Sequence, residues 1–220
     1  LEETPIHPIP SFGYPYALCG YRCSHCPWVM DKNVLDDIPS MQRVTILCGS
    51  ADPDGATSTM CGCARSHLES KGVSVNLIVV SDMDVSHCRD CDGCRDGMCV
   101  LDDEMDVIYD AFATSDMLIL ACPIHFSGPS SLIKLVMDRF QPYWFDGTLP
   151  HPSHAVALLC GGSPEPRFDA TIYTMRAFAI TTGMEWKGQY CLGDTDSGVD
   201  VERIRSGVSS FLDGVIGDRK

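Results

Sequence analysis

The stretch "HCRDCDGCRDGMC", residues 87–99, sets Cys88, Cys91, Cys94 and Cys99 in the pattern Cys-x2-Cys-x2-Cys-x4-Cys. Four chemistries compete for thiols this close. Disulfides between such near neighbours would close strained small loops and need an oxidising compartment. Structural zinc usually takes two CxxC knuckles separated by a longer insert, so that two turns converge on one tetrahedral ion; the inserts here are short and uniform. An iron–sulfur cubane suits the spacing better, because two successive two-residue inserts let one winding loop offer three thiolates to different irons. The spacing leaves the fourth ligand open, since a cysteine in that place can serve another cluster, although Gly97 permits a turn that returns Cys99. Reduced thiols that hold nothing are the last alternative.

Thirteen cysteines in 220 residues is heavy use. The opening "LEETPIHPIP" has no basic segment followed by an apolar one, so we expect reduced thiols in a cytoplasm rather than a secreted disulfide framework. Cys19, Cys23 and Cys26 have the Cys-x3-Cys-x2-Cys spacing by which radical-SAM enzymes hold a cluster. The larger barrel such enzymes need has no counterpart, and a second centre with three protein ligands stays open. Cys48, Cys122 and Cys160 each end a predicted strand and are expected to pack as small apolar side chains. Cys61 and Cys63, two apart on a helix, cannot face the same way. No histidines share a ligand spacing, and His67 is expected on a helix surface.

The elements that must position these residues begin at Arg43. Residues 1–40 form a Pro-, Tyr- and Cys-rich extension without helical or strand periodicity, and Met41, just before the first strand, is a candidate start. Residues 41–220 make the main domain. "RVTILC", "VSVNLIVV", "MLILAC", "AVALLC" and "EWKGQYCLG" read as strands, the apolar runs being of the kind buried on both faces. Between them lie helical segments from about Thr57 to Ser70 closed by Gly72, around Met105, Ile108 and Phe112, over "SSLIKLVMDRF", and over "DATIYTMRAFAITTG". Asp102, Asp103 and Glu104 suit the positive end of the second helix. A last helix keeps Val201, Ile204, Val208, Phe211 and Val215 on one face. Strand and helix alternate five times, which predicts a doubly wound α/β sandwich with right-handed crossovers.

In such a sheet, ligands bind beyond the carboxyl ends of the strands. Three loops emerge there. "GSADPDGATST" enters a helix with free amides and hydroxyls able to surround a phosphate, yet it is neither a Walker loop nor a GxGxxG fingerprint. "CPIHFSGPSSLIK" offers backbone groups, His125 and Phe126 to a flat polar ring, or is merely a turn capped by Ser130 or Ser131. "CGGSPEP" allows close backbone approach at Gly161 and Gly162. Trp144 and Tyr143 suit a flavin edge, the core or a subunit contact equally well.

Taken together over residues 43–192, "GSADPDGAT", the cysteine loop after strand two, "PIHFSGPSSLIKLVMDR" and "GG" after strand four resemble the flavodoxin-like NAD(P)H-dependent FMN reductase family, and within it the iron–sulfur flavoproteins. The resemblance implies a flavodoxin-like three-layer sandwich around a five-stranded parallel sheet of order 2-1-3-4-5. Members usually carry a GSPR…GNT loop around the FMN phosphate. Gly49, Ser50, Gly55 and Thr57 match it, while Ala51, Asp52 and Ala56 depart, Asp52 standing where arginine is typical. In the second motif, P-V-Y-[FW]-G-x-x-S before a helix ending in DR, Pro123, Phe126, Ser130, Asp138 and Arg139 match. Ile124 is conservative and His125 replaces an aromatic. The implied FMN contacts are Gly49, Ser50, Gly55, Ala56 and Thr57; Pro123, Ile124, His125, Phe126, Ser127 and Gly128; and Gly161 and Gly162. The resemblance also implies that Cys88, Cys91, Cys94 and Cys99, within the loop 87–100, all bind one [4Fe-4S] cluster, and that the protein is a homodimer or homotetramer. No catalytic side chain is expected, because the flavin carries the reaction.

Charge narrows the partners. A formal net charge of -14 with only 16 basic residues repels phosphate backbones, so nucleic acid is not expected. No apolar run approaches the roughly 18 residues that span a bilayer, so membrane insertion is not expected either. The leading expectation is an FMN-dependent oxidoreductase that passes electrons between NAD(P)H or a ferredoxin-like donor, FMN and the cluster. Two alternatives stand beside it: a cluster-free NAD(P)H:flavin or quinone reductase, and a metal-stabilised, non-enzymatic binding domain that has lost flavin.

Overall fold

The computed structural model describes residues 41–217, so the expectations for the extension over 1–40, including Cys19, Cys23 and Cys26, lie outside the described residues. Five parallel strands, β1 (Arg43–Cys48), β2 (Ser74–Val79), β3 (Met117–His125), β4 (His154–Cys160) and β5 (Glu185–Leu192), hydrogen-bond in the order β2-β1-β3-β4-β5. This is the flavodoxin-like order expected from the sequence. The central strands are apolar throughout because both faces are covered. Val44, Ile46, Ile119 and Leu158 feed one core, and Leu47, Leu118, Leu120 and Leu159 feed the other.

The first core is closed by α1 (Ala56–Ser70) and α6 (Val201–Ile216). The second is closed by α2 (Met105–Ala113), α3 (Ser131–Arg139), the short α4 (Gln141–Phe145) and α5 (Asp169–Thr181). Helix α4 does not follow from periodicity, being too short to show any. It packs Tyr143 edge-on against Phe112 at 5.1 Å between ring centroids, and the Tyr143 hydroxyl donates to the Pro150 carbonyl at 2.9 Å. Trp144 stays exposed.

Cys48 and Cys160 are buried at the ends of β1 and β4 as expected; Cys122 is buried too but lies inside β3, which runs on to His125, and Cys61 is buried while Cys63 is only half-covered. Two expectations need correction. On α6 the buried residues are Ile204, Val208 and Leu212, whereas Val201 is exposed, because the apolar stripe enters the core one turn into the helix. His67 is not a free surface residue: it is half-buried between α1 and α6, with Nε2 2.8 Å from an Asp213 carboxylate oxygen.

Candidate functional site: the strand-end loops and the cysteine cavity

Strand register brings the loops to one edge. Cys48 is opposite both Val79 and Ala121, Pro123 is opposite Cys160, and Cys160 is opposite Leu192. The first two loops lock together at Gly49. Its N–H donates to the Ala121 carbonyl at 2.7 Å, and its carbonyl accepts the Ser130 hydroxyl at 2.7 Å. A Cβ on Gly49 would stand 2.1 Å from Cγ1 of Ile133, so only glycine lets α3 come this close. Ser130 is the side-chain cap of α3, accepting the Ile133 N–H at 3.4 Å.

In the first loop, Gly55 is the N-cap of α1 and supplies no side-chain cap, so the leading amides of α1 stay available to an anion. Asp52 crowds that position. One of its carboxylate oxygens accepts the Asp54 N–H at 3.0 Å, and the other lies 2.8 Å from where a Cβ on Gly55 would stand. The Asp52 N–H donates to the buried Ser50 hydroxyl at 3.3 Å. Ala56 is buried, and the Thr57 hydroxyl faces inward, 3.1 Å from the Cys160 sulfur. What Thr57 can offer a phosphate is therefore its backbone.

The second loop is a hairpin. Strand β3 runs past its neighbours, Phe126 and Ser127 turn it with φ of 51° and 63°, and Gly128–Pro129 return antiparallel onto His125 and Ile124. Two successive left-handed residues suit a type I′ turn, which normally favours Asn-Gly. Here a phenylalanine takes the first place, fully exposed at the tip, while the Ser127 carbonyl accepts the Thr171 hydroxyl of α5 at 2.9 Å. Pro123, Ile124 and Gly128 are half-buried. In the third loop the Gly161 N–H donates to Leu192 at 2.9 Å, and a Cβ on Gly162 would meet the Asp196 carboxylate at 2.2 Å. Residues 193–198, which local patterning did not single out, thus complete the edge.

The cysteine loop occupies residues 83–104, between the 3-10 turn Val80–Asp82 and α2. Its two limbs are stapled at the base. The Asp84 N–H donates to the Glu104 carboxylate at 2.5 Å, the Glu104 N–H returns to Asp84 at 3.0 Å, and the Ser86 N–H donates to Asp103 at 3.0 Å. Asp103 also accepts the Met105 N–H at 3.1 Å, so it satisfies the first amide of α2 as well as favouring its dipole. Arg139, at the end of α3, clamps both limbs: Nη1 donates to the Ser86 carbonyl at 2.8 Å and to Asp103 at 2.6 Å, and Nη2 to the other Asp103 oxygen at 3.1 Å. Its side chain is wholly buried. Burial opposes that charge, but the hydrogen-bonded Asp103 carboxylate and the nearby Cys99 sulfur raise the Arg139 pKa above its usual value.

Cys88, Cys91, Cys94 and Cys99 line one cavity of about 40 Å³ with Leu101, Arg139, Gln141 and Phe145. None of the three strand-end loops lines it. About 12 Å of helix separates Ser131 from Arg139, so the thiols face the far end of α3 rather than its N-terminus. Burial pushes the Cys94 thiol up, and the charges of Cys99, Cys88 and Cys91 push it the same way. The Asp90 N–H donates to the Cys88 sulfur at 3.5 Å, with Asp90 and Asp92 at φ of 49° and 58° turning the chain between cysteines. Arg95 stacks 4.9 Å above the Phe145 ring and tethers the loop tip to α4. The four thiols are free, and among the described residues no three His, Cys, Asp or Glu side chains converge on a point where a metal ion would sit. The donor set nevertheless suits soft iron: four sulfurs, an amide already directed at one of them, and a buried cation. Arg139 and Asp103 are the residues that local patterning missed as a pair; the DR ending of α3 was the only signal.

A family model described as NADPH-dependent FMN reductase matches residues 42–194. The chain belongs to that family. Among curated relatives of this FMN reductase family chain, an iron–sulfur flavoprotein of Methanocaldococcus jannaschii is 30% identical over 101 residues, covering 46% of this chain and 52% of that one. One of Methanosarcina thermophila is 29% identical over 143 residues, covering 64% and 75%. One of Archaeoglobus fulgidus is 34% identical over 110 residues, covering 50% of each. The match thus spans about half the length of the first and third of these relatives. A solved NAD(P)H:quinone oxidoreductase from Methanothermobacter marburgensis shares the fold, with a TM-score of 0.63, 16% identity, and coverage of 78% of this chain and 96% of that one. Among the described residues no helix is long and apolar enough to cross a membrane.

Proposed function

We propose that this member of the FMN reductase family is an electron-transfer oxidoreductase that binds FMN at the strand-end loops and one [4Fe-4S] cluster on Cys88, Cys91, Cys94 and Cys99. The observation that carries the reading is the gathering of four thiols around one cavity, clamped by Arg139 to a flavodoxin-like domain. The names of the curated relatives support it. FMN exchanges two electrons as hydride or one at a time, and a cluster passes single electrons.

The chain's own residues have narrower tasks. The first amides of α1 and the Ser50 hydroxyl hold the phosphate. Ser130, by fixing Gly49, sets the distance between the phosphate loop and α3. The hairpin from Pro123 to Gly128 presents backbone groups, His125 and the Phe126 ring to the flavin, and Gly161 and Gly162 permit close backbone approach. Cluster binding asks the four cysteine side chains to turn toward their shared cavity, with the Asp90 amide already on Cys88. Because α3 lies between that cavity and the flavin loops, a homodimer or homotetramer that brings one subunit's cavity to another's flavin is the arrangement we favour. NAD(P)H or a ferredoxin-like protein donates electrons, in a reducing cytoplasm suited to so many thiols.

Protein purified without oxygen tests this. Flavin bands with a broad visible shoulder, about four irons and four labile sulfides per chain, and one FMN are expected. Flavin without iron would favour the cluster-free NAD(P)H:flavin reductase; zinc without flavin would favour the binding domain.

A further inference from the structure

The guanidinium of Arg139 has a loose end. Its Nη1 and Nη2 are engaged by Ser86 and Asp103, yet Nε is buried without any hydrogen-bond partner. A buried, unpartnered donor is rare in a folded protein and calls for a reason, a redox role among them. Here the donor belongs to a residue that lines the cavity of the four cysteines. Asp103 and Ser86 hold the fork, and the same side chain lines the cavity.

We infer that Arg139 donates its free N–H to a cysteine sulfur of the loop and thereby sets the reduction potential of the group those cysteines hold. The inference rests on the reading that Cys88, Cys91, Cys94 and Cys99 bind an iron–sulfur cluster. Reduction adds one electron and one negative charge, and no bond need form or break at the arginine. A hydrogen bond to sulfur and a nearby positive charge both stabilise the more negative form, so both raise the potential. Asp103 cancels much of the charge, leaving the hydrogen bond as the larger influence in the native pair. The same pairing explains why a cation is buried here, at the junction of the loop base, α2 and α3.

The test uses the full chain, purified without oxygen, in wild-type, Asp103→Asn and Arg139→Met/Asp103→Asn forms. The readouts are iron and sulfide content and the midpoint potential from a redox titration followed by electron paramagnetic resonance. Asp103→Asn keeps the arginine and removes its counter-charge, so the reduced form should be favoured at least tenfold, a rise of 59 mV or more. The double variant is as neutral as the native pair but lacks the donor, so its potential should fall below wild type. It also leaves no unpaired buried charge, so it tests the inference if the single variant does not fold. The order Asp103→Asn, wild type, double variant from highest to lowest supports the inference. Potentials that coincide with wild type, or the reverse order, would overturn it. Wild-type protein without iron would instead overturn the cluster reading and this inference with it.

Discussion

Asp52 stands at the mouth of the phosphate loop, and replacing it should strengthen flavin binding while weakening the apoprotein. Its carboxylate rests against Gly55, the N-cap of α1, and accepts the Asp54 N–H at 3.0 Å. A carboxylate near a helix N-terminus stabilises it by about 0.3–1 kcal/mol, and Asp52→Asn forfeits most of that. The same carboxylate opposes a phosphate drawn to those amides. Two unit charges 4 Å apart in water repel by about 1 kcal/mol, and a phosphate monoester carries nearly two, so removing one partner should gain ~1–2 kcal/mol. That is a five- to thirtyfold lower Kd for FMN. Asp52→Arg should add an attraction of similar size. The assay is quenching of FMN fluorescence by apoprotein at low and high salt, with urea unfolding of the apoprotein alongside. The gain should shrink in high salt, because Asp52 is exposed and its field is screened. An Asn variant that binds FMN no better than wild type at low salt would refute the argument and mean the phosphate sits elsewhere.

Two further outcomes follow from geometry and ionisation. Phe126→Gly removes a left-handed phenylalanine from the hairpin tip and should stabilise the apoprotein by ~1 kcal/mol in urea unfolding while weakening FMN binding; a stability gain with unchanged affinity would remove the ring from the flavin site. Burial pushes the Cys122 thiol from 9.0 up to about 12. The folded state therefore keeps a proton that the unfolded chain releases, and stability should be lost as pH rises above about 9, by about 1.4 kcal/mol per pH unit for this one group. Cys122→Ala should reduce the slope of unfolding free energy between pH 9 and 10.5 by one proton's worth, and an unchanged slope would count against a native thiol.

Much of the sheet was legible because its signals are local. Apolar runs ending at Cys48, Cys122 and Cys160 are satisfied by strands covered on both faces, and Gly72 and Gly183, both with positive φ, ended helices where the pattern stopped. The site was less legible. Thr57 matched a phosphate motif, yet its hydroxyl turns to Cys160, more than a hundred residues away in sequence. Asp103 was readable as a helix-dipole residue, but its partner sits on another helix. The segment around Asp196 carried no pattern, because a loop that covers a glycine needs only a small polar residue at the right place.

By itself, then, the sequence determined the α/β alternation, the loops that open at the carboxyl edge and the presence of four closely spaced thiols, since each depends on residues near one another along the chain. Only the tertiary structure decided where those thiols face. The crossover from β2 to β3 brings the cysteine loop to the last residue of α3, and the pairing of Arg139 with Asp103 and Ser86 moors it there, away from the flavin loops. The physical reason is that a buried charge must find its partners wherever the fold brings them. That meeting depends on how α2 and α3 pack on the sheet, which spacing between cysteines does not record.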